Sequence, residues 1–554
     1  MPAVPPQAAA STPLERRAEQ LGRLEARTAD VLVVGGGITG AGIALDLATR
    51  GLDVVLAERG DWSGATSSAS SRLVHGVLRY LEQFELSLVR ESCLERALLL
   101  RNAAGYVWPE EFHFPVFRGD RIGRAKLVTG LWLYTALATP RALGLPARRS
   151  AAAMRRRLPQ LETRGLGGGG SYVDAATDDA RLGLAVVRTA RLHGATCLSR
   201  LELVAADEAG GEVRCQLRDR EADTPLEVRA RAVVLAGGPA TDELRAVAGL
   251  GGPAWTAPSR GSHIVVPRER LPTDGATIFT SAVDGRVMFL IPWPRHTVIG
   301  TTDLDADPRQ RPRASGAEVR YLLDSARALA PGSNLGPDDV VSTWSGLRPL
   351  LAPPDGAAPS ERSREERIEL EGRILTIAGG KLTGYRSAAE KLAHRLTAEL
   401  GLGRPGRASA TRQLPLVGAL GGPVPRPAWS RLAPDGGVRD LAPLGIAWDA
   451  RYGAGAARVR RVAGESRLLD ATTRLGELDH AAREEDCLGL VDFLFRRTDF
   501  GLLSPTAARA ELPELGTRLG QHLGWTAARR VAEIAGAVAE LDLREAWRRD
   551  PDAP

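Results

Sequence analysis

The chain has 554 residues, 44% hydrophobic and 25% charged, enough for two or three domains with substantial cores, which excludes a chain that stays disordered over most of its length. Its net charge of +6 suits an anionic substrate, an anionic membrane surface or nucleic acid without choosing among them; lysine occurs only at Lys126, Lys381 and Lys391, an arginine bias that a GC-rich genome produces without functional cause. Cys93, Cys197, Cys215 and Cys487 show no metal-ligand spacing, which argues against a zinc site or disulfide framework and for a reducing cytoplasm, and no stretch reaches the roughly 18 apolar residues that span a bilayer.

Residues 1–29 are rich in Pro, Ala and Arg without a continuous apolar run, so they read as a flexible extension rather than a secretory signal. Residues 31–34 are a short apolar run ending in glycine, the pattern of a strand buried on both faces. After it, Gly35 permits a tight turn, Gly37 lets backbone approach a pyrophosphate, and Gly40 lets the next helix pack closely on the strand. The N–H groups and dipole at that helix's N-terminus stabilise an anion without a basic side chain. Ile43, Ala44, Leu47 and Ala48 recur at helical spacing, and Gly51 ends the helix. A second strand, Val54–Ala57, runs into Glu58, at the spacing where a carboxylate accepts ribose hydroxyls and repels a 2′-phosphate. NAD and FAD both satisfy this pattern; NADP is disfavoured.

A Ser-rich loop follows, and then residues 127–138, LVTGLWLYTALA, with Trp132 and Tyr134, flanked by Arg124, Lys126 and Arg141. Twelve helical residues span about 18 Å, too short to cross a membrane, so this helix either rests in the interface or packs in the core. Residues 197–230 and 261–303 carry strand and turn signals and predict an antiparallel sheet inserted in the cofactor domain. Apolar runs at 232–236 and 374–378 each end in a Gly-Gly turn, which brings Gly237, Gly238, Gly379 and Gly380 near the cofactor at the carboxyl ends of parallel strands. Residues 401–437 are dense in Gly and Pro and read as a linker; helical periodicity in 475–497 and 527–549 predicts a small helical domain over 438–550. The cofactor unit then occupies 30–400.

The Ser-rich stretch ATSSASSRLVHGVLRYLE, residues 65–82, resembles the signature of the FAD-dependent glycerol-3-phosphate dehydrogenases, within the D-amino-acid-oxidase-like flavoproteins. Further blocks agree in order: VDAATDDARL at 173–182, RGSHIVVP at 260–267, FLIPWPRHTVIGTTD at 289–303, WSGLRPL at 344–350 and AGGKLTGYR at 378–386. The resemblance implies an α/β fold: a Rossmann-like FAD-binding domain, an inserted antiparallel β-sheet substrate domain and a C-terminal α-helical cap domain. It implies FAD as cofactor, oxidation of sn-glycerol 3-phosphate to dihydroxyacetone phosphate and electrons passed to a membrane quinone; the helix at 127–138 adds the expectation of peripheral attachment to the cytoplasmic face of the cell membrane. A homodimer is compatible with it.

The same matching places substrate-contacting arginines at Arg79, Arg348 and Arg364, with Arg362 or Arg367 as competitors for the last. Guanidinium groups suit a phosphate because they stay charged and bond it in pairs. His263 is the expected general base and His75, beside the flavin loop, its competitor, while Tyr80 would donate a hydrogen bond to substrate or simply pack. Lys381 would stabilise the anionic reduced flavin, and Ser67, Ser68, Ser71, Arg72, Gly237, Gly380, Leu382 and Thr383 would contact the cofactor. Two departures stand out: Val77 where a second glycine is usual, and Arg72 where lysine is common. An oxygen-reducing glycerol-phosphate oxidase is the nearest alternative. An amino-acid oxidase would need a carboxylate clamp instead of the arginine set. An RNA-binding flavoprotein is disfavoured because no basic stripe interleaved with aromatics is present.

Overall fold

The computed structural model describes residues 12–76, 85–139, 141–353, 365–402, 408–438 and 445–554. Val31, Leu32, Val33 and Val34 are all buried because strand Thr28–Val34 lies inside a sheet covered on both faces, which is why its sequence runs apolar rather than alternating. Strands Ile374–Gly379, Thr224–Leu235, Thr28–Val34, Val54–Ala57 and Thr196–Leu198 lie side by side in that order, all parallel. Helices Ile38–Thr49, Asp179–Leu192 and Tyr385–Leu400 fill one face. Leu24 and a β-meander cover the other.

Residues 197–230 belong to this first sheet and not, as expected, to the substrate sheet. Thr224–Leu235 pairs along one edge with Thr28–Val34; along the other it meets first antiparallel Glu212–Asp219 and then parallel Ile374–Gly379. Local alternation cannot tell which sheet so long a strand joins. The substrate sheet is built from residues 73–177 and 259–348 and is mixed rather than purely antiparallel. Ala276–Thr280 runs parallel to Val107–Phe117, because these strands come from separate chain segments and no hairpin joins them.

Helix Arg124–Ala138 combines the two readings left open for it. Leu127, Leu131 and Tyr134 are buried against the substrate sheet, while Trp132 is 48% and Leu133 46% exposed. Among the described residues no helix is long and apolar enough to cross a membrane. Within the expected extension, Pro13–Glu25 is a helix with a Thr12/Glu15 capping box, held to the first sheet by Arg17 and Asp219 at 2.7 Å.

The C-terminal unit is helical, including Pro505–Leu523 and Ala527–Glu545. The periodic stretch 475–497 is not one helix: it breaks after Gly476–Glu484 and resumes as Leu490–Asp492 and the π-turn Phe493–Arg497. At the break Glu485 turns inward to Arg181, its carboxylate oxygens 2.6 and 2.7 Å from the guanidinium. Two further pairs cross the same seam in the same bidentate way: Arg497 with Asp61 at 2.7 and 2.7 Å, and Arg72 with Asp499 at 2.9 and 2.7 Å. Breaking such a pair on one side leaves a buried charge, at a cost of roughly 3–5 kcal/mol.

Candidate active site

The first strand ends at Gly35, with φ +114°; a Cβ there would stand 2.4 Å from the Ala236 carbonyl oxygen. No side chain fits. Gly40 is equally constrained, since its Cβ would meet the Gly35 carbonyl oxygen at 1.9 Å. A Cβ on Gly37 would meet only the Ser67 Oγ, at 3.2 Å, so this glycine opens the helix N-terminus to the cleft. There the Ile38 N–H donates to Ser67 Oγ at 2.9 Å. Glu58 accepts from the Gly36 N–H and the Gly60 N–H, both at 2.6 Å. Burial pushes its carboxyl above the ordinary range, against the pull of those two N–H groups.

A cleft of about 860 Å³ runs from this end across the Ser-rich loop to the substrate sheet. Gly35, Gly37, Glu58 and Gly237 line its nucleotide end, and Ser67, Ser68 and Ser71 its middle. The turn after Ile374–Gly379 brings Gly380, Lys381, Leu382 and Thr383 to the same wall. Gly379 and Gly380 take φ of +78° and +81°, the left-handed region that glycine adopts without penalty.

At the far end Arg348 lines the cleft, its Nη1 3.1 Å from Asp303 Oδ1 and its Nη2 3.1 Å from Thr301 Oγ1. His75 is half-buried on the wall, tilted against Phe289 with ring centroids 6.3 Å apart. His263 stands one layer behind. It is 2% exposed, stacked on Trp344 at 4.7 Å, and its Nε2 is 2.8 Å from Ser71 Oγ. Burial, with the nearby Arg348 and Arg72 guanidinium groups, pushes its imidazole down to about 3.

Arg72 borders the cleft, and its guanidinium pairs with Asp499 and lies over the Trp293 ring at 4.4 Å. Its φ of +56° costs a non-glycine residue roughly 1–2 kcal/mol, offset by that buried pairing. Arg367 leaves the site altogether, its guanidinium 4.0 Å over the Trp255 ring. Val77, Arg79, Tyr80, Arg362 and Arg364 lie outside the described residues. Sequence reasoning missed Asp499, Trp293 and Asp179, whose Oδ2 accepts from both the Ser70 N–H at 3.0 Å and the Ser70 hydroxyl at 2.6 Å. Asp179 belongs to the quoted VDAATDDARL block; Asp499 carried no local signal.

The donor set fits FAD: a glycine-opened helix N-terminus for pyrophosphate, a carboxylate for ribose, and a cleft that continues well past the dinucleotide fingerprint. Residues 30–386 match the FAD dependent oxidoreductase family, and residues 409–530 the C-terminal domain of alpha-glycerophosphate oxidase, which begins inside the segment read as a linker. Glycerol-3-phosphate dehydrogenase 2 of Mycobacterium bovis is 35% identical over 562 residues, 97% of this chain and 92% of the relative. The chain belongs to the FAD-dependent glycerol-3-phosphate dehydrogenase family. Aerobic glycerol-3-phosphate dehydrogenase of Staphylococcus saprophyticus is 36% identical over 67% of this chain and 68% of its own length. The glycerol-3-phosphate dehydrogenase of Bacillus halodurans, solved with FAD, superposes with a TM-score of 0.76 at 28% identity, covering 96% of this chain and 97% of that one. The family's fold matches the three-part architecture above, with the mixed substrate sheet in place of the antiparallel one.

Proposed function

We infer that this chain oxidises sn-glycerol 3-phosphate to dihydroxyacetone phosphate with FAD. The observation that carries the reading is the single cleft joining the Glu58 nucleotide end to Arg348, Lys381 and His75, in a chain similar to glycerol-3-phosphate dehydrogenases over nearly its whole length. FAD bound along it supplies a hydride acceptor for the substrate carbinol carbon. Arg348 holds the phosphate, exchanging Asp303 and Thr301 for phosphate oxygens. Lys381 stands at the flavin end as a compact positive charge that favours the anionic reduced ring. His75 accepts the hydroxyl proton: it stands on the wall, whereas His263 is separated from the cleft by Ser71 and holds a depressed basicity. Arg79, Tyr80 and Arg364 complete the substrate contacts in the family's pattern.

Mixing the flavin-loaded protein anaerobically with glycerol 3-phosphate should bleach the flavin. Bleaching by an amino acid and not by the phosphate ester would overturn the reading.

Electrons then pass to a membrane quinone, and the exposed face of helix Arg124–Ala138 supports peripheral attachment. Trp132 and Leu133 present apolar surface there, and the exposed side chain of Lys126 lies on the same helix. Wild-type protein should float with vesicles of anionic phospholipid. A Trp132→Ser, Leu133→Ser variant that floats equally well would remove this helix from the contact. Assembly as a homodimer is read by light scattering.

A further inference from the structure

Among the bidentate pairs that tie the C-terminal unit to the rest of the described residues, Arg72–Asp499 is the one that ends in the Ser-rich wall of the cleft. We propose that Asp499 is a positioning residue for the oxidation: by clamping Arg72 from the C-terminal unit it sets the Ser70–Ser71 wall, Trp344 and, through Ser71, His263. The proposal deepens the function inferred above and rests on it.

Both carboxylate oxygens of Asp499 serve the other side of the seam. Oδ1 accepts from Arg72 Nη2 at 2.7 Å; Oδ2 accepts from Arg72 Nη1 at 2.9 Å and from the Trp293 indole N–H at 3.0 Å. The Arg72 guanidinium is thereby held 4.4 Å from the Trp293 ring and 5.6 Å from the Trp344 ring. Trp344 donates its indole N–H to the Ser70 carbonyl at 3.2 Å and stacks on His263. The Arg72 N–H donates to Ser70 Oγ at 3.0 Å, and Ser71 Oγ meets His263 Nε2 at 2.8 Å. A left-handed φ at Arg72 sits at the centre of this set, so release of its side chain frees the wall to relax. Glu485 provides the contrast. It makes the same bidentate contact with Arg181, yet neither partner lines the cleft.

The test compares flavin-loaded wild type, Asp499→Asn, Asp499→Glu and Glu485→Gln by anaerobic flavin bleaching at varied glycerol 3-phosphate. Asp499→Asn should lower the limiting bleaching rate about 10-fold or more and move the half-saturating substrate concentration less than about 3-fold, since displacement of the wall disturbs reaction geometry more than binding. Asp499→Glu should recover part of the rate, and the visible circular dichroism of the flavin should change in Asp499→Asn alone. Glu485→Gln should lose thermal stability but keep its limiting rate within about 2-fold, because its pair stabilises the seam without touching the wall. Equal slowing by Asp499→Asn and Glu485→Gln, or none by either, would overturn the proposal. Where Asp499→Asn does not fold, Trp293→Phe removes one hydrogen bond to Asp499 and spares the ion pair; it should slow bleaching measurably, and an unchanged rate would refute the relay. A wild type that is not bleached refutes the substrate reading alone, and the circular dichroism comparison still decides the relay.

Discussion

At the nucleotide end of the cleft the wall is main chain: Gly35 and Gly37 bring backbone to the cleft, Gly40 lets the helix close on the strand, and Glu58 is oriented by the N–H groups of Gly36 and Gly60, all inside residues 35–60. At the flavin end the wall is side chain. Arg72 with His75, Trp344 with Arg348, Lys381 and Asp499 arrive from four separate stretches, and Arg72 and Asp499 stand 427 positions apart in sequence. The first end is a local device that any sequence with the right glycines and carboxylate can build. The second exists only when two sheets and the C-terminal unit are docked. Damage should therefore differ in kind: loss of cofactor at one end, loss of chemistry with cofactor retained at the other.

The largest effect is expected from Gly40→Val, whose Cβ would overlap the Gly35 carbonyl. The purified variant should carry no flavin by its ratio of visible to ultraviolet absorbance; a full complement would break the claim that backbone approach builds this end. Next, Arg348→Ala should keep its flavin but raise KM for glycerol 3-phosphate about 100-fold, the scale of a lost charge-assisted phosphate contact. An unchanged KM would take Arg348 out of the phosphate contact. The smallest effect concerns pH. His263 is held neutral in the fold down to about 3 and ordinarily titrates near 6.5, so its burial favours folding above about 6.5 and that contribution drains away as pH falls toward 3. The thermal midpoint of wild type minus that of His263→Gln should fall across this window; a flat difference would mean the imidazole is solvated and not behind the wall.

Legibility followed the range of the contacts. The Gly35 to Glu58 unit could be read because strand, turn, helix and strand follow one another and each glycine answers a local steric demand. The WSGLRPL and AGGKLTGYR blocks were readable by resemblance, and Arg348 and Lys381 do reach the cleft. Arg72 was read as a cofactor contact and does border the cleft, but its partner Asp499 lies in another domain and could not be read. The histidines divided for a similar reason: neither residue's own sequence says that Ser71 and Trp344 stand between His263 and the cleft.

By itself the sequence determined the dinucleotide unit, the carboxylate that closes it and the family, since those depend on chain geometry over a few tens of residues and on motifs that survive divergence. Tertiary structure alone decided which sheet received residues 197–230, which imidazole reaches the wall, and that Asp499 clamps Arg72. Those outcomes depend on burial and charge pairing between segments hundreds of residues apart, where desolvation makes a carboxylate and a guanidinium seek each other and no local pattern records the match.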